Sequence, residues 1–153
     1  MSGPLQLVVF TLDEQRYALR LASVEKTVRM VEITPLPKAP EIVLGVIDCH
    51  GKVIPALNIR KRFQRPEREP GLGDQLIIAR TTRRAVALVV DEVSDVIALA
   101  EGELVQPAAI LPHLEYVEGV VKLDDGMVFI HDLDAFLSLE EEQLLETALT
   151  GSG

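Results

Sequence analysis

Asp48, Cys49 and His50 stand side by side in Gly45-Val-Ile-Asp-Cys-His-Gly-Lys-Val-Ile-Pro55, between two apolar runs. Three readings suit that triplet: a thiolate activated by an imidazole, a metal held by mixed ligands, or a turn that carries these side chains incidentally. Activation requires a short sulfur-to-imidazole contact. In a strand, successive side chains point to opposite faces, so adjacent residues cannot make it. His113 and His131 could approach Cys49 only through the fold, and no local pattern brings them there. A lone cysteine in a Val/Ile strand reads as a small buried apolar residue.

A metal site fares no better, because the three residues lack a spacing that turns several ligands toward one ion. Asp132 and Asp134, after His131, sit where a strand hands over to a helical turn, and acids there cap. No Gly-rich phosphate loop, His-Glu-x-x-His or Gly-x-Ser-x-Gly occurs. No catalytic residue or metal site is therefore expected. Gly51 remains as a turn residue flanked by Asp48 and His50.

A turn needs strands to join. Leu5–Leu12, Ile42–Ile47, Val53–Leu57, Gln75–Ala79, Ala85–Val90 and Met127–Ile130 are short, rich in Val and Ile and bounded by turn residues, the pattern of strands. Asp13-Glu14-Gln15, Thr81-Thr-Arg-Arg84 and Asp124-Asp125-Gly126 fall where polar hairpin turns belong, so most neighbouring strands are expected to be antiparallel. Ser138 followed by Glu141 fits a capping box, and Leu144, Leu145, Ala148 and Leu149 supply an apolar face, predicting a helix over 138–149. A second, short helix is expected within Leu57–Phe63, followed by a surface linker at Gln64–Gly71.

The chain also echoes itself. Ala18-Leu19, Leu21, Val24 and Val28 recur 69 residues later as Ala87-Leu88, Val90, Val93 and Ile97. Gly45-Val-Ile47 followed by Gly51-Lys-Val53 recurs as Gly119-Val-Val121 followed by Gly126-Met-Val128. Apolar alternation alone would not also align both glycines, so two similar units are implied, approximately 13–70 and 75–133, with the N-terminal strand able to join the second. Units this small remove exposed strand edges by closing into barrels, which predicts two small barrels packed side by side.

Composition narrows the function classes. The 153 residues are 48% hydrophobic and carry a net charge of −9, so the field repels phosphate backbones and anionic membranes, and nucleic acid is an unsuitable partner. Trp is absent, and four Phe with two Tyr leave little surface for stacking bases. The start, Met1–Phe10, lacks a basic region ahead of a long apolar core, and the run Ala85–Val90 ends at Asp91, far short of a membrane span. A cytoplasmic chain is expected. A single cysteine excludes an internal disulfide.

With chemistry set aside, the question becomes which surfaces bind. Ile33-Thr-Pro-Leu-Pro37 is a Pro-interrupted loop carrying Ile33 and Leu36, which can tuck under a barrel or present an apolar patch. Leu21, Val24, Thr27 and Val28 with their counterparts Val90, Val93 and Ile97 would lie close together under internal pseudo-symmetry, as core or as the lining of a groove between barrels.

At these residues the chain resembles the CheW chemotaxis coupling proteins. Val9-Phe-Thr-Leu12, Tyr17-Ala-Leu19, Gly45-Val-Ile47, Gly51-Lys-Val-Ile-Pro55, Leu57-Asn-Ile-Arg60, Val89-Val-Asp-Glu-Val93 and Asp132-Leu133 carry the likeness, in order, over nearly the whole chain. The resemblance implies an all-β fold of two intertwined SH3-like five-stranded barrels with a C-terminal helix, no enzymatic activity and no cofactor. It implies an adaptor between chemoreceptor cytoplasmic tips and the regulatory domain of a CheA-type histidine kinase, recruited to membrane-associated arrays. By the same resemblance, Val8, Leu21, Val24, Thr27 and Val93 match the groove that receives the receptor's helical hairpin, a helix-in-groove mode. Ile33 and Leu36 match the kinase contact, where exposed apolar side chains suit an interface of modest area.

Two departures stand out. The family usually shows Asn-Leu-Arg-Gly at Asp48-Cys49-His50-Gly51, and Val-x-Glu-Val at Val24-Glu25-Lys26-Thr27. An acid and a base are replaced together, so Lys26 and His50 are expected to be electrostatically coupled, repelling when His50 is protonated, with Asp48 or Glu25 compensating and partner choice altered. The alternatives are a coupling protein of an accessory, non-flagellar chemosensory system, a regulator of another double-barrel protein, and a small β-barrel enzyme or ligand-binding protein using Cys49.

Overall fold

The computed structural model describes residues 5–63, 65–99, 104–105, 117–123 and 126–151. The six predicted apolar runs are strands: β1 (Leu5–Leu12), β4 (Val43–Cys49), β5 (Lys52–Leu57), β6 (Gln75–Arg80), β7 (Ala85–Val90) and β11 (Gly126–His131). Five more were not singled out by composition: β2 (Gln15–Arg20), β3 (Val24–Arg29), β8 (Glu92–Leu99), β9 (Leu104–Val105) and β10 (Val117–Leu123). The reason is visible in β3 and β8, whose residues are mostly exposed and polar, so neither shows a dense apolar run. The short helix α1 (Ile59–Arg62) falls inside the predicted stretch, and helix α2 (Leu139–Gly151) closes the chain.

The strands form two sheets, ordered β8-β1-β2-β11-β10-β9 and β3-β6-β7-β5-β4. The first sheet joins β1 and β2 of the first half of the chain to β8–β11 of the second, and the second sheet joins β3–β5 of the first half to β6 and β7 of the second. The registers obey one internal symmetry: Leu7 lies opposite Ile97 in the first sheet, and Leu76 opposite Val28 in the second. Ile130 runs parallel beside Ala18, as Ala56 does beside Ala87. Val121 faces Val128, as Ile47 faces Ile54. The fold is thus mainly β, two interleaved SH3-like barrels with a C-terminal helix, as the sequence led one to expect.

The echo needs one correction. Gly45 and Gly119 do correspond, each following a bulge at the start of its strand. The second pair does not: Cys49 pairs with Lys52 and Leu123 with Gly126, so Gly126 matches Lys52 rather than Gly51; Asp124 and Asp125 of the expected turn lie outside the described residues. Both glycines serve their hairpins, one residue out of step.

Three apolar clusters follow from the alternation of each strand. Leu7, Val9, Ala18, Val121 and Val128 fill the first barrel, and Leu76, Ile78, Ala87, Ile47 and Ile54 fill the second. Between them lies a larger cluster built from the opposite strand faces, with Phe10 and Leu12 of β1, Ile77 of β6, and Leu88 of β7. Phe136 and Leu145 bring the C-terminal segment onto it.

Helix α2 is fastened at its start by the predicted reciprocal box. The Glu141 N–H donates to Ser138 Oγ at 3.1 Å, and the Ser138 N–H to Glu141 Oε1 at 2.8 Å. Arg62 donates to Glu141 at 2.6 Å, and Arg84 donates to Glu142 at 2.9 Å and Glu146 at 2.7 Å. Leu145 and Ala148 are buried and Leu149 half-buried, but Leu144 is 44% exposed, because a position next to Leu145 on the helix is turned well away from the core-facing stripe. Ser138→Ala should cost about 1 kcal/mol, seen as a fall of roughly 3 °C in the thermal midpoint.

Candidate functional site

The reactive-looking triplet separates on folding. Asp48 is exposed and Cys49 buried on opposite faces of β4, with Cys49 in the second barrel's own core. His50 and Gly51 form the two-residue turn, with φ of +53° and +86°, and the Gly51 N–H donates to Asp48 Oδ1 at 2.9 Å. Two left-handed residues match the twist of a tight hairpin, and the aspartate closes it. His131 belongs to the central cluster instead, its ring stacked on Phe63 at a centroid distance of 3.9 Å and tilted against Tyr17 at 5.2 Å. His113 lies outside the described residues. Asp132 acts as the expected cap, accepting from the Asp134 N–H at 3.1 Å, whereas Asp134 accepts from the Thr82 N–H of the β6–β7 turn at 2.8 Å. Among the described residues, no group of three potential ligands is placed to hold a metal.

Two of the first set of binding candidates, Val24 and Val93, pack on the central cluster. Val24 follows the 3-10 turn Leu21–Ser23 and lies opposite Ala79, while Val93 lies opposite Phe10. These are equivalent positions under the internal symmetry, each beside a ladder irregularity. Both valines are half-buried against the central cluster. Val93 also ties the sheets together, its N–H donating to Gln75 Oε1 of β6 at 2.6 Å. Thr27 is exposed opposite Ile77, and its counterpart Val96 is 52% exposed opposite Val8. Val8 is only 3% exposed, so it forms floor rather than surface. Val96 was not singled out, although the 69-residue echo of Thr27 falls on it.

The second set divides. Ile33 packs at the edge of the second barrel's core, whereas Leu36 packs against the central cluster. Between them Thr34 forms a bridge to β4, with Thr34 N–H to Val46 O and Val46 N–H to Thr34 O both at 2.8 Å. Gly45 permits this approach, since a Cβ there would lie 2.2 Å from the Thr34 carbonyl oxygen. Ile33 then lines an open groove of about 740 Å3 with Val31, Leu44, Pro70 and Leu72. Leu36 does not line it.

A charged cluster sits where the sheets meet. Arg60 donates to Asp13 Oδ2 at 2.7 Å and to Asp91 Oδ1 at 2.6 Å, and Arg68 donates to Asp91 Oδ1 at 2.6 Å and to both oxygens of Asp74. The hydrogen bond from Arg60 holds the Asp13 carboxyl below its usual range, and that from Arg68 does the same for Asp74. Burial pushes Asp91 up, but the Asp13 N–H and Arg60 outweigh it and its pKa is also lowered. Burial works against the charge of Arg60 too, and its two carboxylate partners more than offset this.

Lys26 and His50 are both exposed, on β3 and in the β4–β5 turn, at opposite ends of the second sheet's strand order. Among the described residues, neither side chain makes a hydrogen bond or ion pair. The expected coupling therefore has no direct contact behind it in the free protein.

The arrangement is one of faces and clamps, suited to holding other proteins. Comparison with known proteins agrees. The CheW-like domain family matches residues 6–141. The chain is 28% identical over 144 residues to the chemotaxis protein CheW of Rhizobium meliloti (strain 1021), covering 93% of each chain. It is 29% identical over 140 residues to the CheW of Bacillus subtilis (strain 168), covering 90% of each. The crystal structure of the scaffolding protein TtCheW from Thermoanaerobacter tengcongensis superposes with a TM-score of 0.81 at 32% identity, over 92% of each chain.

Proposed function

Because the chain belongs to the CheW-like domain family of chemotaxis coupling and scaffold proteins, we propose that it joins chemoreceptor cytoplasmic tips to a CheA-type histidine kinase. The observation that carries this reading is the symmetric pair Val24 and Val93, two half-buried apolar side chains drawn from different halves of the chain onto one core. A receptor tip is a helical hairpin, and an apolar stripe on a helix is desolvated well by such a trough. In this reading Val24, Val93, Leu21 and Thr27 line the trough, Val8 supports it from below, and Val96 extends it. Ile33 contributes to a separate kinase-docking face, with Leu36 bracing its loop from inside.

The adaptor performs no chemistry of its own; control follows from setting receptor and kinase side by side. Work in the cytoplasm, at receptor arrays, suits this role, and no described helix is long and apolar enough to cross a membrane. An accessory chemosensory system is the second reading, favoured by Lys26 and His50, two exposed side chains without ionic partners among the described residues, which are free to meet a partner of altered charge.

The test is a pull-down with a kinase regulatory domain and a receptor-tip fragment. The unmodified chain should retain both. Val24→Asp should lose at least about tenfold in receptor affinity while keeping the kinase. Because Val24 also touches the core, Val96→Asp at an exposed position serves as the second variant. Failure of the unmodified chain to bind either fragment would refute the proposal.

A further inference from the structure

We infer that the segment Arg65–Asp74 is the second wall of the kinase-docking groove, fixed by Arg68, and that Leu72 with Glu32 and Glu69 selects an apolar partner segment flanked by basic residues. The inference rests on the kinase-docking reading of Ile33 and extends it to a segment that reads in the sequence as a plain linker.

The groove has two walls of different origin. Val31 and Ile33 stand on the loop that the Thr34–Val46 bridge pins to β4, with Leu44 as floor. Pro70 and Leu72 face them from the other side. Leu72 is 94% exposed, so it contributes almost nothing to the core of the free protein. A large apolar side chain held that far into water is notable only if its backbone is held still.

It is held still by charge. Arg68 forks onto Asp74, Nη1 to Oδ2 at 2.9 Å and Nη2 to Oδ1 at 2.7 Å, and reaches Asp91 at 2.6 Å. Asp74 also accepts from the Gly71 N–H at 2.8 Å, and its own N–H donates to Gly71 O at 3.0 Å, so Gly71–Asp74 is a closed turn with Leu72 near its crest. Arg60 secures the segment's start, donating to Pro66 O at 3.0 Å. A bidentate arginine fixes orientation as well as position. An apolar anchor fixed in advance loses little freedom on binding, which is how a small groove gains affinity.

The rim supplies the selectivity. Glu32 and Glu69 line the groove, and among the described residues neither carboxylate is ion-paired. On a chain of net charge −9 they favour a basic partner flank and repel an acidic one. A second copy of this chain, equally acidic, is the less suitable occupant.

Titration calorimetry of the full chain against the regulatory domain of its CheA-type kinase, at low and high salt, tests this. Leu72→Asp should weaken binding by about tenfold or more, with thermal midpoint and receptor-tip affinity unchanged. The double variant Glu32→Lys, Glu69→Lys should weaken binding most at low salt. Arg68→Gln should lower kinase affinity and leave receptor-tip affinity intact; loss of both together would assign Arg68 a purely structural role and overturn the clamp. If the unmodified chain binds the kinase domain and Ile33→Asp abolishes binding while Leu72→Asp does not change it, the second wall is refuted and the adaptor reading stands. If the unmodified chain does not bind the kinase domain, the kinase-docking reading itself falls. Disruption of self-association in place of kinase binding would assign the groove to a second copy and overturn the inference.

Discussion

Gly45→Ala should destabilise the protein by about 3 kcal/mol and reduce kinase binding more than receptor binding. The added Cβ would stand 2.2 Å from the Thr34 carbonyl oxygen and 2.8 Å from its carbon, both backbone atoms that cannot rotate aside. Relief requires the loop to leave β4, which breaks both 2.8 Å hydrogen bonds between Thr34 and Val46. Each such bond contributes about 1 kcal/mol net, and forcing an extra methyl into packed structure adds roughly 1 to 3 more. In a domain of this size the thermal midpoint should fall by about 10 °C. Gly51→Ala is the matched control: its φ of +86° is strained for alanine, but nothing lies within 4 Å of the new Cβ, so a loss of only about 1 kcal/mol is expected. Equal losses at the two positions in urea titrations would show that the Thr34 contact is not what makes Gly45 necessary.

The second large effect is at Arg60. Its side chain is 8% exposed and bridges Asp13 of the β1–β2 turn to Asp91 at the end of β7. Arg60→Ala leaves two carboxylates facing each other and removes the donor to Pro66 O. Removing one partner of a buried charge cluster costs up to about 5 kcal/mol, but water reaches both aspartates, so roughly 2 to 3 is expected. Acid titration gives an independent readout. The pKa values of Asp13, Asp74, Asp91 and Glu141 are lowered on folding, by Arg60, Arg68, the Asp13 N–H with Arg60, and Arg62 respectively, against burial. In the unfolded chain carboxylates take up protons near pH 4, while in the folded chain they resist to lower pH. This stabilisation is therefore complete above about pH 4 and is lost as pH falls through the folded values. Arg60→Ala should flatten that acid limb as well as lower the plateau. An unchanged limb would mean that Asp13 and Asp91 gain nothing from the guanidinium.

The barrels were legible in the sequence wherever a strand buries one whole face. Leu7, Val9, Leu76 and Ile78 announce their strands by alternation alone. β3 and β8 were hidden for the opposite reason: they are mostly exposed, because they carry the outer faces on which partners are proposed to sit. Val93 was found through the resemblance and the echo, but Val96 was passed over, although both stand on β8. Leu72 carried no signal at all. A leucine in Gly71-Leu-Gly73 belongs to no periodicity, and only the turn closed by Asp74 shows it to be presented outward. The Arg60 and Arg68 clamps were invisible too: Arg60 joins residues far apart in sequence, and the Arg68–Asp74 pair, though close in sequence, follows no spacing rule.

The exchange of strands between halves also governs how the molecule comes into being. β1 finds its sheet neighbour in β8, with Leu7 opposite Ile97, and β3 waits for β6, with Val28 opposite Leu76. A nascent chain emerging from the ribosome therefore holds β1 and β2 unfinished while the β3–β7 sheet, contained in residues 24–90, becomes available to close first. The first sheet closes late, on β8 and β11, because a topology of distant pairings folds slowly. Two chains cut between the halves would each hold an unfinished sheet, yet each would be the template that completes the other.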